Sequence, residues 1–512
     1  MHLIKNIEKN KFSFQVIFFY IFSIIFIRHF LDMFSDIGRS NFSLGINSFL
    51  LHHPLFFLVM IISSTLILHL IIKEKISKTL NFVISIFPLI LLAPFIDLIL
   101  FKGANLDYIL INSWSELLPY LQNLFNFNIN QPGVTPGMLT WSLLFVLSAS
   151  YYVYYKTKNL SKTIISFILN LVLGILLAIL PSLLNIIAKE KLFLPSTIFT
   201  RVYDIHQQIA SILLIAFCLL LISYFFLYNK NKFYYFIEYL SLTRIIQNLL
   251  LLNFGILIAL STNYFFEWSF FNSIFVLLAN ILLMLLWILI KGINDYHDII
   301  EDKISNKKNP YISSIIEFNE LKTIYSVILY LILSISFLLN YEIFLLTMVV
   351  LSIGFIYSSP PIRLKKYVFI AHLAIGIVSG IVYLMGLFLI RNDAPLESQQ
   401  INFFYSIVLL FSLIMHIKDL KDYKGDKKAK NYTLPTLLGL QKSKIVISLF
   451  ILVSLFLINL IVKINSIFFP TVLCGIFMIF FINKKKYNET PIFLIFFIYI
   501  LVFVFLLLKY YK

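Results

Sequence analysis

The chain is a succession of long apolar stretches separated by short polar connections. A helix needs about 20 apolar residues to cross a bilayer core. Stretches of that kind lie near 13–34, 54–72, 80–101, 138–155, 163–188 and 206–228, and again near 243–262, 271–290, 321–340, 342–358, 367–390, 402–417, 443–462, 466–482 and 490–508. The pattern therefore predicts an all-α, polytopic membrane protein of about 15 transmembrane helices. A polar link around 229–241, carrying Lys230 and Lys232, divides the chain. Residues 1–231 form an N-terminal six-helix transmembrane domain, and residues 232–512 form a nine-helix bundle.

Composition agrees with this division into spans. Of 512 residues, 60% are hydrophobic and 13% charged, outside the range of soluble domains. The net charge of +17 would point to nucleic acid in a soluble protein. Here most of the 41 lysines and arginines fall on even-numbered connections, which are cytoplasmic if the N-terminus is. That asymmetry predicts a multi-pass protein of the cell membrane with a cytoplasmic N-terminus and no nucleic-acid partner. The first apolar stretch follows Lys5, Lys9 and Lys11 but has no small-residue cleavage site, so it is expected to remain as a helix. Cys218 and Cys474 each lie inside an apolar run, which excludes a disulfide framework or thiolate metal site. Oligomeric state is not legible.

Two acidic runs share one spacing. Asn294-Asp295-Tyr-His-Asp298-Ile-Ile-Glu-Asp302 and Asp419-Leu-Lys-Asp422-Tyr-Lys-Gly-Asp426 each end an apolar span. On a continuous helix, carboxylates at i, i+3 and i+7 stack on one face over two turns. Like charges so placed repel unless a cation lies among them, and Mg2+ favours oxygen ligands that include phosphate. Asn294 adds a neutral oxygen. Carboxylates at a helix C-terminus also oppose its dipole, which weakens a purely stabilising account. The span count places both runs at the cytoplasmic face. Lysines in the following loops, among them Lys303, Lys307, Lys308, Lys421 and Lys424, fit the positive-inside rule and are also potential anion ligands.

Between the runs lies Tyr357-Ser-Ser-Pro-Pro-Ile-Arg363-Leu-Lys365-Lys366. The tandem prolines end the preceding helix, leaving Tyr357 at the membrane boundary and Arg363 and Lys365 toward the cytoplasmic face. A fixed Arg and Lys beside carboxylates suit a leaving diphosphate.

Together NDYHDIIED, YSSPPIRLK and KDLKDYKGDKKAKNYTLPTLLG resemble the UbiA superfamily of intramembrane prenyltransferases. The resemblance covers slightly more than half of the chain. It implies that Asn294, Asp295, Asp298, Asp302, Asp419, Asp422 and Asp426 hold Mg2+ bridged to a prenyl diphosphate. Asp295, Asp298, Asp419 and Asp422 would be the catalytic members. Lys291, Tyr357, Arg363 and Lys365 would contact the diphosphate, with Arg244 assisting. The implied activity is Mg2+-dependent transfer of an allylic prenyl group to a membrane-accessible acceptor, whose identity and preferred chain length no residue reveals. Asn309-Pro310 stands where many members have Arg-Pro, and Lys430 replaces a common Gly. Neither is expected to touch the carboxylates.

The first block carries no motif that points to a family. Arg28 and Asp32 are spaced to pair, and His69 reads as a packed or interfacial histidine. Asp97, after Pro88 and Pro94, could line a polar cavity. His52-His53-Pro54 has metal-like composition but no accompanying cluster is expected on its side of the membrane. The outward loop at 105–137 is long enough to fold over the block as a lid or re-entrant piece. Two other classes compete for the whole chain. A transporter would place carboxylates at the midplane within an inverted repeat. A metal-dependent lipid-headgroup transferase of the CDP-alcohol type would carry a D-G-x-x-A-R arrangement, which is absent.

Overall fold

The computed structural model describes residues 2–9, 13–35, 48–104, 111, 113–123, 134–189, 197–198, 201–202, 205–240, 242–261, 270–304, 307–390, 395–429, 431–462, 465–485 and 487–511. Lys430 and much of the expected lid at 105–137 lie outside the described residues; within that stretch Trp114–Asn123 is a short helix. Among the described residues, 14 helices are long and apolar enough to cross a membrane. The pair Ser398–Ile414 and Ile417–Lys428, bent by 43°, raises the number to 15 if it is one span. The described strands are a two-residue antiparallel pair, Thr197–Ile198 with Arg201–Val202. The chain is an all-α, multi-pass membrane protein.

It divides into two compact units, Met1–Tyr234 with Ser269–Phe275, and Tyr235–Trp268 with Val276–Lys512. In the first unit we number α1 Phe14–Ser35, α2 His53–Ile72, α3 Ile76–Ile86, α4 Leu92–Phe101, α5 Pro136–Thr157, α6 Leu160–Lys189 and α7 Ile205–Tyr228. The crossing expected near 80–101 is α3 and α4 joined by a 3-10 turn, Phe87–Leu91. Pro88 and Pro94 explain the break, because each removes an amide donor from the helical ladder. Asp97, anticipated beside a polar cavity, is buried, at 2% exposure. Its carboxylate accepts from the Gly137 amide at 2.6 Å and from the Thr135 hydroxyl, capping α5. Arg28 pairs with Asp32 at 3.5 Å, and His69 meets the Glu74 carbonyl at 2.6 Å.

In the second unit we number α8 Lys230–Tyr239, α9 Leu242–Ser261, α10 Phe270–His297, α11 Ile299–Ile304, α12 Phe318–Leu339, α13 Tyr341–Ser358, α14 Val368–Ile390, α15 Ser398–Ile414, α16 Ile417–Ala429, α17 Leu440–Val462, α18 Asn465–Ile482 and α19 Thr490–Tyr511. The polar link read from the sequence is thus mostly the helix α8. At the centre is α14, whose apolar window is 67% buried, packed between α9 and α15. A Cβ on Gly255 of α9 or Gly386 of α14 would collide with the other helix's backbone. Small residues are what let two membrane helices approach so closely.

Candidate active site

The first acidic run is not one unbroken helical face. α10 ends at His297, and α11 begins after Asp298, although the Asp302 amide still donates to the Asp298 carbonyl at 2.8 Å. All three carboxylates are buried, at 7%, 8% and 7% exposure for Asp295, Asp298 and Asp302. Burial on this scale requires partners, and each has them. Lys291, one turn earlier, approaches Asp295 at 3.2 Å while lying 3.0 Å from the centroid of the Tyr239 ring. Tyr239 itself donates its hydroxyl to Asp295. Burial first, and then Tyr325 and Asp295, push the Tyr239 phenol upward, which keeps it a donor. Gly292 makes room for this arrangement, because a Cβ there would run into the Tyr325 ring.

Asp302 accepts from the Asn309 amide at 2.9 Å, and the same amide nitrogen donates to the Asp295 carbonyl at 2.8 Å. Asn309 therefore does touch a carboxylate, against the expectation from the sequence. The loop after the run folds back over it, so a residue seven positions on becomes a neighbour. Burial, followed by the negative charges of Asp295 and Asp298, raises the Asp302 carboxyl above its usual range, and the Asn309 hydrogen bond opposes that rise.

The connection after α13 brings cations to the same run. Ser358 donates to the Asn294 side-chain oxygen at 3.1 Å, and Ser359 meets His297 Nε2 at 2.9 Å. Arg363 adopts a left-handed backbone, φ +47°, and its guanidinium donates to Asp298 at 2.9 Å and Glu301 at 2.7 Å. That conformation is costly for a residue with a Cβ and persists where surrounding contacts hold it. Lys365 reaches Asp298 and lies 3.5 Å from Asn294. Burial lowers the Lys365 ammonium, while Asp298 pulls it back up. Tyr357 stands within electrostatic reach of Asp298, Asp419 and Asp426.

The second run is carried by α16. Asp419 is flanked by His372 Nε2 of α14 at 3.4 Å and by His416 Nδ1 at 3.5 Å, the two rings stacked with centroids 3.6 Å apart. Ligand atoms of these three side chains all lie within 4.8 Å of one another. Asp422 pairs with Lys307 at 3.1 Å, and Asp426 accepts from Asn431 at 3.1 Å. The Lys307 amide donates to the Asp302 carbonyl at 3.0 Å. A single residue thus ties the end of the first run to the middle of the second. Arg244 is turned to Met415 Sδ at 3.8 Å and lies over the Phe493 ring at 4.9 Å, with Asp422 and Tyr357 within electrostatic reach. The structure pairs Lys291 with Asp295, brings Arg363 and Lys365 onto Asp298 with Lys365 beside Asn294, and holds Asp302 through Asn309; it leaves Arg244 without a carboxylate bond among the described residues.

Tyr239, Glu301, His297, His372 and His416 were not singled out from the sequence. His416, three residues before Asp419, carried a helical-spacing signal; the others meet the runs only through tertiary packing. An apolar cavity of about 60 Å³, lined in part by Phe254, Phe403, Leu410, Phe411 and Tyr499, contains none of these polar groups.

Residues 249–501 match the family model described as the UbiA prenyltransferase family. A digeranylgeranylglyceryl phosphate synthase of Methanosphaera stadtmanae is 33% identical over 30% of this chain and 53% of its own length. A probable homogentisate phytyltransferase 2 of Oryza sativa subsp. japonica is 33% identical over 30% of this chain and 42% of its own. The chain thus spans about half the length of the curated relatives it matches. A solved UbiA homologue from Archaeoglobus fulgidus bound to GPP and Mg2+ has 19% identity, covers 52% of this chain and 96% of its own, and has a TM-score of 0.42.

Proposed function

We propose that this protein, whose residues 249–501 match the UbiA prenyltransferase family model, transfers a prenyl group from a prenyl diphosphate to an acceptor reached within the membrane. The observation that carries the proposal is the junction at Lys307, which joins two acidic runs into one polar centre at the end of an apolar bundle. The transporter reading is not favoured, because these carboxylates cluster at helix ends and not in mid-span. Similarity to synthases named for a glycerol phosphate product and for homogentisate supports a lipid or quinone-type acceptor without choosing between them.

The donor set fits Mg2+. Three buried carboxylates, an amide oxygen from Asn294 and the Asp419 carboxylate, whose Oδ2 stands 3.4 and 3.5 Å from His372 and His416, supply hard oxygen donors. Asn294, Asp295, Asp298, Asp302, Asp419, Asp422 and Asp426 would hold it. Mg2+ there would neutralise the diphosphate and make it a better leaving group. Arg363 and Lys365 bind at Asp298, where they would offer two cations to a departing diphosphate. Lys291 supplies a third cation beside Asp295, and Tyr357 lies within electrostatic reach of both runs. Apolar helices around the centre exclude water that would quench an allylic cation. In the orientation we propose, the N-terminus is cytoplasmic, the protein is in the cell membrane, and the centre faces the cytoplasm.

The test is to incubate purified protein and Mg2+ with a series of prenyl diphosphates and a lipid extract of the source cells, identifying the product by mass. Asp295→Ala and Asp419→Ala should each abolish Mg2+-dependent diphosphate release while helical content is kept. Wild-type turnover in either variant would overturn the assignment.

A further inference from the structure

The helix α8 ends ten residues before the stretch 249–501 that matches the family model, so the match does not speak for it. Its last residue is nonetheless at the acidic centre. Asn229 starts the helix, its side-chain oxygen accepting from the Lys232 amide at 3.1 Å. Phe236 and Tyr239, one turn apart, form the buried face, while Tyr234 and Ile237 are exposed. The Tyr239 hydroxyl donates to Asp295 Oδ2, the same oxygen that Lys291 Nζ approaches at 3.2 Å. Lys291 Nζ also lies 3.0 Å from the centroid of the Tyr239 ring. One side chain thus meets a carboxylate through its hydroxyl and an ammonium through its ring. Among the described residues, Asp295 Oδ1 takes no hydrogen bond.

We propose that Tyr239 is a positioning residue for the metal and diphosphate centre: its hydroxyl holds Asp295 by Oδ2, so that Oδ1 is the oxygen presented to the metal, and its ring holds the Lys291 ammonium in place. The proposal rests on the metal and diphosphate reading given above. Carboxylates that bind metals are themselves held by hydrogen bonds, which fix the direction of the ligand oxygen. Two donors on Oδ2 occupy the lone pairs of that oxygen, whereas Oδ1 keeps its own. An ammonium over a phenol ring is attracted to the face without giving up a proton to it. Lys291 has three donors, of which Asp295 takes one, so the others stay free for an anion. A phenol that only satisfied a buried carboxylate would leave metal affinity unchanged on its loss. A phenol that aims the carboxylate would not.

The experiment takes chelator-stripped full-length protein with inorganic diphosphate, titrates in Mn2+, and reads free Mn2+ by electron paramagnetic resonance. The wild type should bind Mn2+. Tyr239→Phe keeps the ring and loses the hydroxyl, and should weaken Mn2+ binding about 10–100-fold with elution volume and helical content unchanged. In an Asp295→Asn background the same substitution should change Mn2+ binding by less than about twofold, because the hydroxyl acts through that carboxylate. Tyr239→Leu also removes the ring, and at saturating Mn2+ should bind inorganic diphosphate about threefold or more weaker than Tyr239→Phe does. If Tyr239→Leu does not elute as a folded species, Tyr239→Phe decides alone, since it keeps the packing. Wild-type Mn2+ affinity in Tyr239→Phe, or an equal loss in the Asp295→Asn background, would overturn the proposal and leave the metal centre standing. Equal diphosphate binding by the folded Phe and Leu variants would overturn the part given to the ring. No Mn2+ binding by the wild type would overturn the metal reading itself, and this proposal with it.

Discussion

Asn309→Ala tests the geometry of the acidic centre at a point where local sequence pointed the other way. The Asn309 amide donates at 2.9 Å to the buried Asp302 carboxylate and at 2.8 Å to the Asp295 carbonyl, while its oxygen accepts from the Tyr311 amide at 2.9 Å. Truncation removes all three bonds. A hydrogen bond to a charged group contributes about 1.5–3 kcal/mol, and the buried partner left behind cannot turn to water. If Asp302 is a metal ligand, the loss falls mainly on its orientation, and disturbing such supporting contacts weakens metal affinity by about 10–100-fold. The two estimates agree, since each tenfold corresponds to about 1.4 kcal/mol. The assay is a Mg2+ titration of diphosphate release at saturating prenyl diphosphate. Half-saturation should rise about 10–100-fold in Asn309→Ala. It should rise further in Asn309→Asp, which sets an acceptor against a carboxylate, and stay near wild type in Asn309→Arg, which restores donors. An unchanged Mg2+ requirement in both Ala and Asp variants would refute the claim that Asp302 holds the metal through Asn309.

Three further outcomes follow from the same centre. Arg363→Ala removes the guanidinium from Asp298 and Glu301; the half-saturating prenyl diphosphate concentration should rise by about tenfold or more, for a loss of about 1.4 kcal/mol, and an unchanged value removes Arg363 from the site. His372→Ala frees one side of Asp419, so Mg2+ half-saturation should rise about tenfold and be restored by His372→Gln, whose amide can donate; a purely packing role would give no such rescue. Mg2+ should raise the thermal midpoint of the wild type over its chelator-treated form, by linkage to the folded state. Asp302→Asn should reduce that increment, and an equal increment in the variant would exclude Asp302 as a ligand.

Much of this architecture is a local property of the chain. Span length and number follow from runs of apolar residues, because a bilayer of fixed thickness selects helices of fixed length. The acidic runs were legible for a related reason: Asp419, Asp422 and Asp426 lie at helical spacing on one helix, α16, whatever surrounds it. The break at Asp298 and the helix formed by Lys230–Tyr239 were not legible, since both depend on what packs against them.

Tertiary structure decided which groups partner the carboxylates. Tyr239, Asn309, Arg363 and His372 reach Asp295, Asp302, Asp298 and Asp419 from separate elements, and no spacing rule connects residues that meet only when helices dock. The same holds for His29, His52, His53 and His206, which are scattered in sequence and adjacent in the fold. Hydrophobic period and short-range charge spacing are written residue by residue. The identity of a buried charge's partner is set by which helix faces can approach closely enough to exclude water.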